Sequence, residues 1–110
     1  MSHMSSDDPL VIAIDSSTTS TKAIVVDTQG NVISLGRREI ALLSPEQGFG
    51  EHDPRQWWTS THEAVGEAVG KLTPAEKERI AAFGITHQRE SFAPFTADGT
   101  PLRNGILWLD

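Results

Sequence analysis

The 110-residue chain contains no cysteine. That excludes disulfide frameworks and thiolate metal sites, and it is compatible with a reducing cytoplasm, where the chain is expected. No apolar run approaches the roughly 20 residues that a membrane-spanning helix needs. The opening, MSHMSSDDP, has no apolar core of the secretory kind. Residues 1–4 read as an expression tag and residues 1–9 as tag plus disordered leader. There is also no basic block: 9 Lys and Arg face 15 Asp and Glu, for a net charge of −6. This argues against nucleic acid and membrane surfaces as partners. Internal repeats and low-complexity tracts are missing, as is the Walker pattern G-x-x-x-x-G-K-[ST]. What remains is ordinary globular composition, 37% hydrophobic and 22% charged, at a length that fits one domain.

Residues 10–27, LVIAIDSSTTSTKAIVVD, organise the rest. An apolar run ends at Asp15. Six hydroxyl residues follow without a break, Ser16, Ser17, Thr18, Thr19, Ser20 and Thr21, then Lys22 and a second apolar run closed by Asp27. Two β-branched runs around a short polar turn predict a β-hairpin. Its tip is rich in backbone N–H and hydroxyl donors, with a carboxylate on one strand and a cation on the other. Donors plus a cation suit phosphate oxygens, and a lone carboxylate suits Mg²⁺ through its water shell.

The turn DTQGN, residues 27–31, places Gly30 at its permissive position. Residues 32–42 read as a third, antiparallel strand, partly at an edge, and residues 44–52 (SPEQGFGEH) as loop. Asp53-Pro54 is an N-cap followed by proline at the first helical position. Trp57, Thr61, Ala64, Val65, Ala68, Val69 and Leu72 then recur at helical spacing, so a helix is expected to end near residues 70–72. Thr73-Pro74 with Glu76 is a second cap signal for a short turn. Residues 80–86, IAAFGIT, read as a buried strand parallel to the first. Residues 91–96 and 104–109 flank ADGTPLR, where Asp98-Gly99 predicts a hairpin turn. The chain stops directly after this last apolar run, which suggests a fragment of a longer protein.

Each candidate functional residue has a plain structural alternative. Asp15 by itself reads as a turn acid capping backbone N–H groups. The Ser/Thr run alone reads as a polar turn, and Lys22 as a solvated strand residue. Gln88, Arg89 and Glu90 follow the 80–86 strand, at the strand end that lines crevices in α/β sheets. Arg89 and Glu90 together offer the donors and acceptors that grip neighbouring hydroxyls of a polyol; otherwise they form a surface ion pair worth little. Glu51-His52-Asp53 is rejected as a metal cluster, because three adjacent residues do not converge on one ion and Asp53 serves as the cap. His62 is expected to be solvated, Trp57 to be core and Trp58 partly exposed. Trp108 reads as core or as a stacking surface for a sugar.

The order β-β-β-α-β, then β-β, matches the opening of the ribonuclease-H-like α/β fold, which actin, Hsp70 and sugar kinases share; the chain would be an incomplete domain of it. Over residues 10–110 the sequence resembles the amino-terminal part of the FGGY carbohydrate kinases. IDSSTTSTKAIVVD is similar to the family's first phosphate motif, Asp-x-Gly-Thr-Thr-x-x-Lys/Arg. GFGEHDPRQWW is similar to its Gly-x-x-Glu-x-Asp/Pro-x-x-x-Trp segment, and GITHQRES with DGTPLRNGILWLD to its substrate-side strand and hairpin. The resemblance implies an ATP-dependent, Mg²⁺-assisted kinase acting on a small-molecule sugar or polyol. In it Asp15 positions the metal and the transferred group, while Ser17, Thr18, Thr19 and Lys22 approach the ATP phosphates. Gln88, Arg89 and Glu90 hold the acceptor hydroxyls, with Trp108 against its carbon face. Gln-Arg-Glu resembles glycerol kinases; ILWLD leans toward ketose and pentulose kinases. Ser17 stands where the family usually has Gly, which alters how closely backbone can approach phosphate.

The family's general base and adenine pocket belong to later segments, so this piece alone is expected to be inactive and to self-associate through its unfinished sheet. Two rival classes are a non-enzymatic nucleotide switch of the actin or Hsp70 kind and a two-metal nuclease. The first has no need of a polyol grip at residues 88–90. The second needs clustered carboxylates that the sequence does not supply.

Overall fold

The computed structural model describes residues 8–87, 91 and 93–107. Three strands come first: β1 (Leu10–Ser16), β2 (Ser20–Val26) and β3 (Val32–Glu39). A two-residue strand, β4 (Glu51–His52), leads into α1 (Pro54–Gly70) and the short α2 (Pro74–Glu78). Then follow β5 (Ile80–Thr86) and β6 (Gly105–Ile106). The main sheet has the order β3-β2-β1-β5, with β1 parallel to β5 and antiparallel to β2.

Local chemistry explains the boundaries. Asp27 closes the β2–β3 turn by accepting the N–H groups of Gln29 (2.8 Å) and Asn31 (2.9 Å), with Gly30 at φ +83°. The Asp53 carboxylate accepts the Arg55 N–H and starts α1, with Pro54 in its first turn. Thr73 and Glu76 form the reciprocal capping box that opens α2. α1 lies on one face of the sheet. Leu10, Ile12 and Ile14 of β1, Ala23 and Val25 of β2, and Ala64, Ala68 and Leu72 from the helical side make the core. The helix presents small residues at its contact, and β3 meets them with Gly36. A Cβ there would lie 2.0 Å from the Ala64 carbonyl oxygen. Ser34 donates to the Ala68 carbonyl, and a buried Thr21–Ser60 hydroxyl pair at 2.7 Å joins β2 to α1.

Three sequence expectations need correction. Residues 80–86 form the expected parallel strand, yet β5 is not buried: Phe83 is 68% and Ile85 51% exposed. α1 sits over β1 to β3, so among the described residues nothing covers β5. Asp98-Gly99 does form a turn, with Gly99 at φ +88°, but it closes only a single bridge, Phe95 to Pro101. β6 pairs instead with β4, Glu51 opposite Ile106 and His52 opposite Gly105. Residues 51–52, read as loop, are therefore strand. Their partner is more than fifty residues away, which no local pattern reveals. Among the described residues no helix is long and apolar enough to cross a membrane.

Candidate functional site

The site is built on the carboxyl-terminal end of β1. Side chains alternate along a strand, so Ile12 and Ile14 enter the core while Asp15 emerges on the face opposite α1. Register then does the rest. Lys22 of β2 is directly opposite Asp15 on one side, and Thr86 of β5 is its partner on the other. A carboxylate, an ammonium and a hydroxyl thus share one row across three strands. The Thr86 hydroxyl donates to Asp15 Oδ1 at 3.0 Å. This row bounds a groove of about 520 Å³ floored by Ala13, Ile24 and Gly84. Among the described residues Lys22 makes no ion pair within 4.0 Å, so its charge is not spent on Asp15.

The tip itself is short. Ser20 and Thr21 belong to β2 and are buried, which leaves Ser17, Thr18 and Thr19 as the turn. Three carbonyls at its far side, those of Thr18, Thr19 and Ser20, are engaged by the protein. The Ser20 carbonyl accepts both the N–H and the hydroxyl of Ser17, each at 2.9 Å. The Thr19 carbonyl accepts the Ile40 N–H at 2.9 Å. The Thr18 carbonyl lies 2.7 Å from Nε2 of His52. A turn whose oxygens are drawn inward shows less negative potential to its surroundings, which suits an anion.

Ser16, next to Asp15, points to the α1 side. There it lines a second cavity of about 260 Å³ with Trp57, Thr61, Ile85, His87 and Ser91. The end of β1 therefore touches two spaces, one on each face of the sheet. His87 and Ser91 bracket the stretch 88–90. Gln88, Arg89 and Glu90, and likewise Trp108, lie outside the described residues.

The model of the N-terminal domain of the FGGY family of carbohydrate kinases matches residues 10–110. The chain belongs to that family. FGGY relatives include a glycerol kinase of Beutenbergia cavernae, 40% identical over 101 residues, and one of Paenarthrobacter aurescens, 42% identical over 101 residues. In each case the match takes in 91% of this chain and 20% of the relative, so the chain spans about a fifth of their length. Among solved structures, the xylulose kinase of Rhodospirillum rubrum superposes with a TM-score of 0.86 at 30% identity over 92% of this chain and 20% of its own. A Plasmodium falciparum glycerol kinase, solved with ADP, gives 0.75 at 30% identity over 94% of this chain and 21% of its own. The ribonuclease-H-like architecture expected from the element order is the fold of these sugar kinases.

Glu51, His52 and Asp53, rejected as a metal cluster on sequence grounds, each bond to different groups. No group of three His, Cys, Asp or Glu side chains among the described residues could hold an ion. The three residues have separate duties. Buried Glu51 accepts from Arg103 Nη2 (2.7 Å) and Asn104 Nδ2 (3.1 Å), tying the segment before β6 to β4. His52 is wholly buried behind the tip, and Asp53 caps α1. Trp57 is half-buried, Trp58 is 69% exposed and His62 stacks on Trp58 at 5.7 Å. Two contributors were not legible as site residues. Thr86 becomes one only through the parallel register, and His52 only through a contact that spans 34 residues.

Proposed function

We propose that this chain is the opening segment of an ATP-dependent kinase that moves the γ-phosphoryl group to a hydroxyl of a small polyol or ketose, in the cytoplasm. The observation that carries the reading is the Asp15, Lys22 and Thr86 row beside a tip at which the Thr18, Thr19 and Ser20 carbonyls are already engaged. The residues fit the groups the reaction needs. Mg²⁺ is commonly held by one or two carboxylates, waters and substrate phosphates rather than by an all-protein cage. A single exposed carboxylate at Asp15 meets that requirement. Bound there, Mg²⁺ would neutralise charge on the phosphoryl oxygens. Lys22 would add a second positive charge on the same face, and Thr18 and Thr19 would supply donors to the phosphates, with Ser17 shaping the turn beside them. Ser17, in the family's glycine position, spends its N–H and hydroxyl on closing the turn, so Thr18 and Thr19 carry most of that contact.

The acceptor grip falls to Gln88, Arg89 and Glu90 with Trp108, and the cavity between His87 and Ser91 supports a polyol-sized ligand on that side. Relatives named glycerol kinase make glycerol the first acceptor to test and xylulose the second. The general base and the adenine pocket would come from segments beyond these residues, so this piece alone should not turn over.

In the full-length kinase, Asp15→Asn should lower kcat by at least about a hundredfold with little change in the acceptor KM, because it removes charge stabilisation of the transition state. Arg89→Ala should instead raise the acceptor KM while leaving the ATP KM near its original value. Steady-state kinetics with ATP and glycerol checks both. Small, equal effects from the two substitutions would refute the site assignment.

A further inference from the structure

His52 stands apart from everything the reaction is expected to use. It is 0% exposed, its ring lies on no substrate-lining surface described above, and both its nitrogens are bonded. Trp57 Nε1 lies 2.8 Å from His52 Nδ1. An indole N–H can only donate, so Nδ1 must present its lone pair. The ring proton is then on Nε2, which donates to the Thr18 carbonyl at 2.7 Å. The tautomer is fixed by its neighbours. A doubly protonated ring would set Nδ1–H against the indole N–H and lose that bond.

The peptide that follows Thr18 is trans, as are all peptides among the described residues. In a trans peptide the carbonyl and the next N–H point in opposite directions. Drawing the Thr18 carbonyl back onto buried His52 therefore aims the Thr19 N–H outward, away from the protein. The Ile40 N–H holds the next carbonyl, that of Thr19, so this peptide and the one after it are both fixed by the protein. We propose that His52 is a positioning residue that orients the Thr19 N–H toward the ATP phosphates, with Trp57 setting the tautomer that makes this possible. The proposal rests on the tip being the phosphate site. It links the start of α1 to the tip: Trp57 in the first turns of the helix, then His52, then Thr18. Trp57 also lines the cavity assigned to the acceptor, so an orientation effect of this kind is read as a change in ATP KM well above any change in acceptor KM.

The test is a comparison of full-length wild type, His52→Leu and His52→Gln in ATP-dependent phosphorylation of glycerol. His52→Leu removes the donor and should raise the ATP KM by about tenfold, the scale of one oriented hydrogen bond, while the glycerol KM stays within about twofold. Glutamine keeps one donor and one acceptor, so His52→Gln should recover most of the ATP affinity. A purely structural role would lower the melting temperature and the active fraction of both variants without separating the two KM values, and that result overturns the proposal. If His52→Leu fails to fold, ¹⁵N NMR of the wild-type imidazole decides. A slowly exchanging Nε2–H with Nδ1 unprotonated supports the assignment, and the Nδ1–H tautomer overturns it. Wild type that consumes no ATP with glycerol or xylulose refutes the kinase reading and the positioning role together. Turnover with unselective variants refutes only the latter.

Discussion

At the scale of single residues, His52 shows how a buried polar group can be costly and still specific. Burial pushes its pKa below the ordinary histidine value, and the bond to the Thr18 carbonyl opposes that shift without cancelling it. The consequence for stability has a definite sign. Below about pH 6.5 the unfolded chain takes up a proton that folded His52 refuses, so stability is complete above that pH and is lost as pH falls toward the folded pKa. Thermal unfolding between pH 7.5 and 5 should show this decline, and His52→Gln should flatten it. An unchanged slope in the variant would place the effect elsewhere. Asp27 acts lower on the pH scale. Bonds from the Asn31 side chain and backbone hold its carboxyl below the usual range, so its contribution fades only as the pH drops through that depressed value.

At the scale of elements, the decisive contact is α1 against β3. Helix packing on a sheet is close here because Ala64 and Ala68 face Gly36, with no side chain between the two backbones. The atoms nearest an added Cβ, the Ala64 carbonyl oxygen at 2.0 Å and the Ala68 nitrogen at 2.9 Å, are backbone and cannot rotate away. Gly36→Ala must shift the helix and should cost about 3 kcal/mol or more, the upper range for overpacking. Chemical denaturation measures it. A loss under about 1 kcal/mol would mean that the helix has room to slide. Gly66 and Gly70, on the same helix, meet nothing within 4 Å and should tolerate alanine. Because α1 also carries Trp57 and Ser60, a displaced helix would disturb His52 and Thr21 behind the tip.

At the scale of the whole molecule, the sheet has an open side among the described residues. β5 is an edge strand with Phe83 and Ile85 exposed, and an apolar groove of about 410 Å³ runs between it and α1, lined by Ile12, Val65 and Trp58 among others. An unpaired strand edge beside apolar surface favours association. The isolated chain is expected to form dimers or larger species at high concentration. Multi-angle light scattering that reports only monomer would contradict this.

The hairpin, the third strand, both helix starts and the parallel strand were all legible in the chain, because each depends on neighbours within a few residues: alternation, helical spacing, Asp53-Pro54, and the Thr73 and Glu76 box. The closeness of Asp15 to Lys22 was legible for the same reason, since one hairpin with six residues between them brings them opposite each other. What the chain could not announce were contacts closed across long separations. These are the pairing of β4 with β6, the exposure of β5, the Thr86 hydroxyl on Asp15, and His52 behind Thr18. Local pattern fixes which face a side chain takes and where an element starts. Which distant partner meets that face is a matter of register and packing, and only the folded chain decides it.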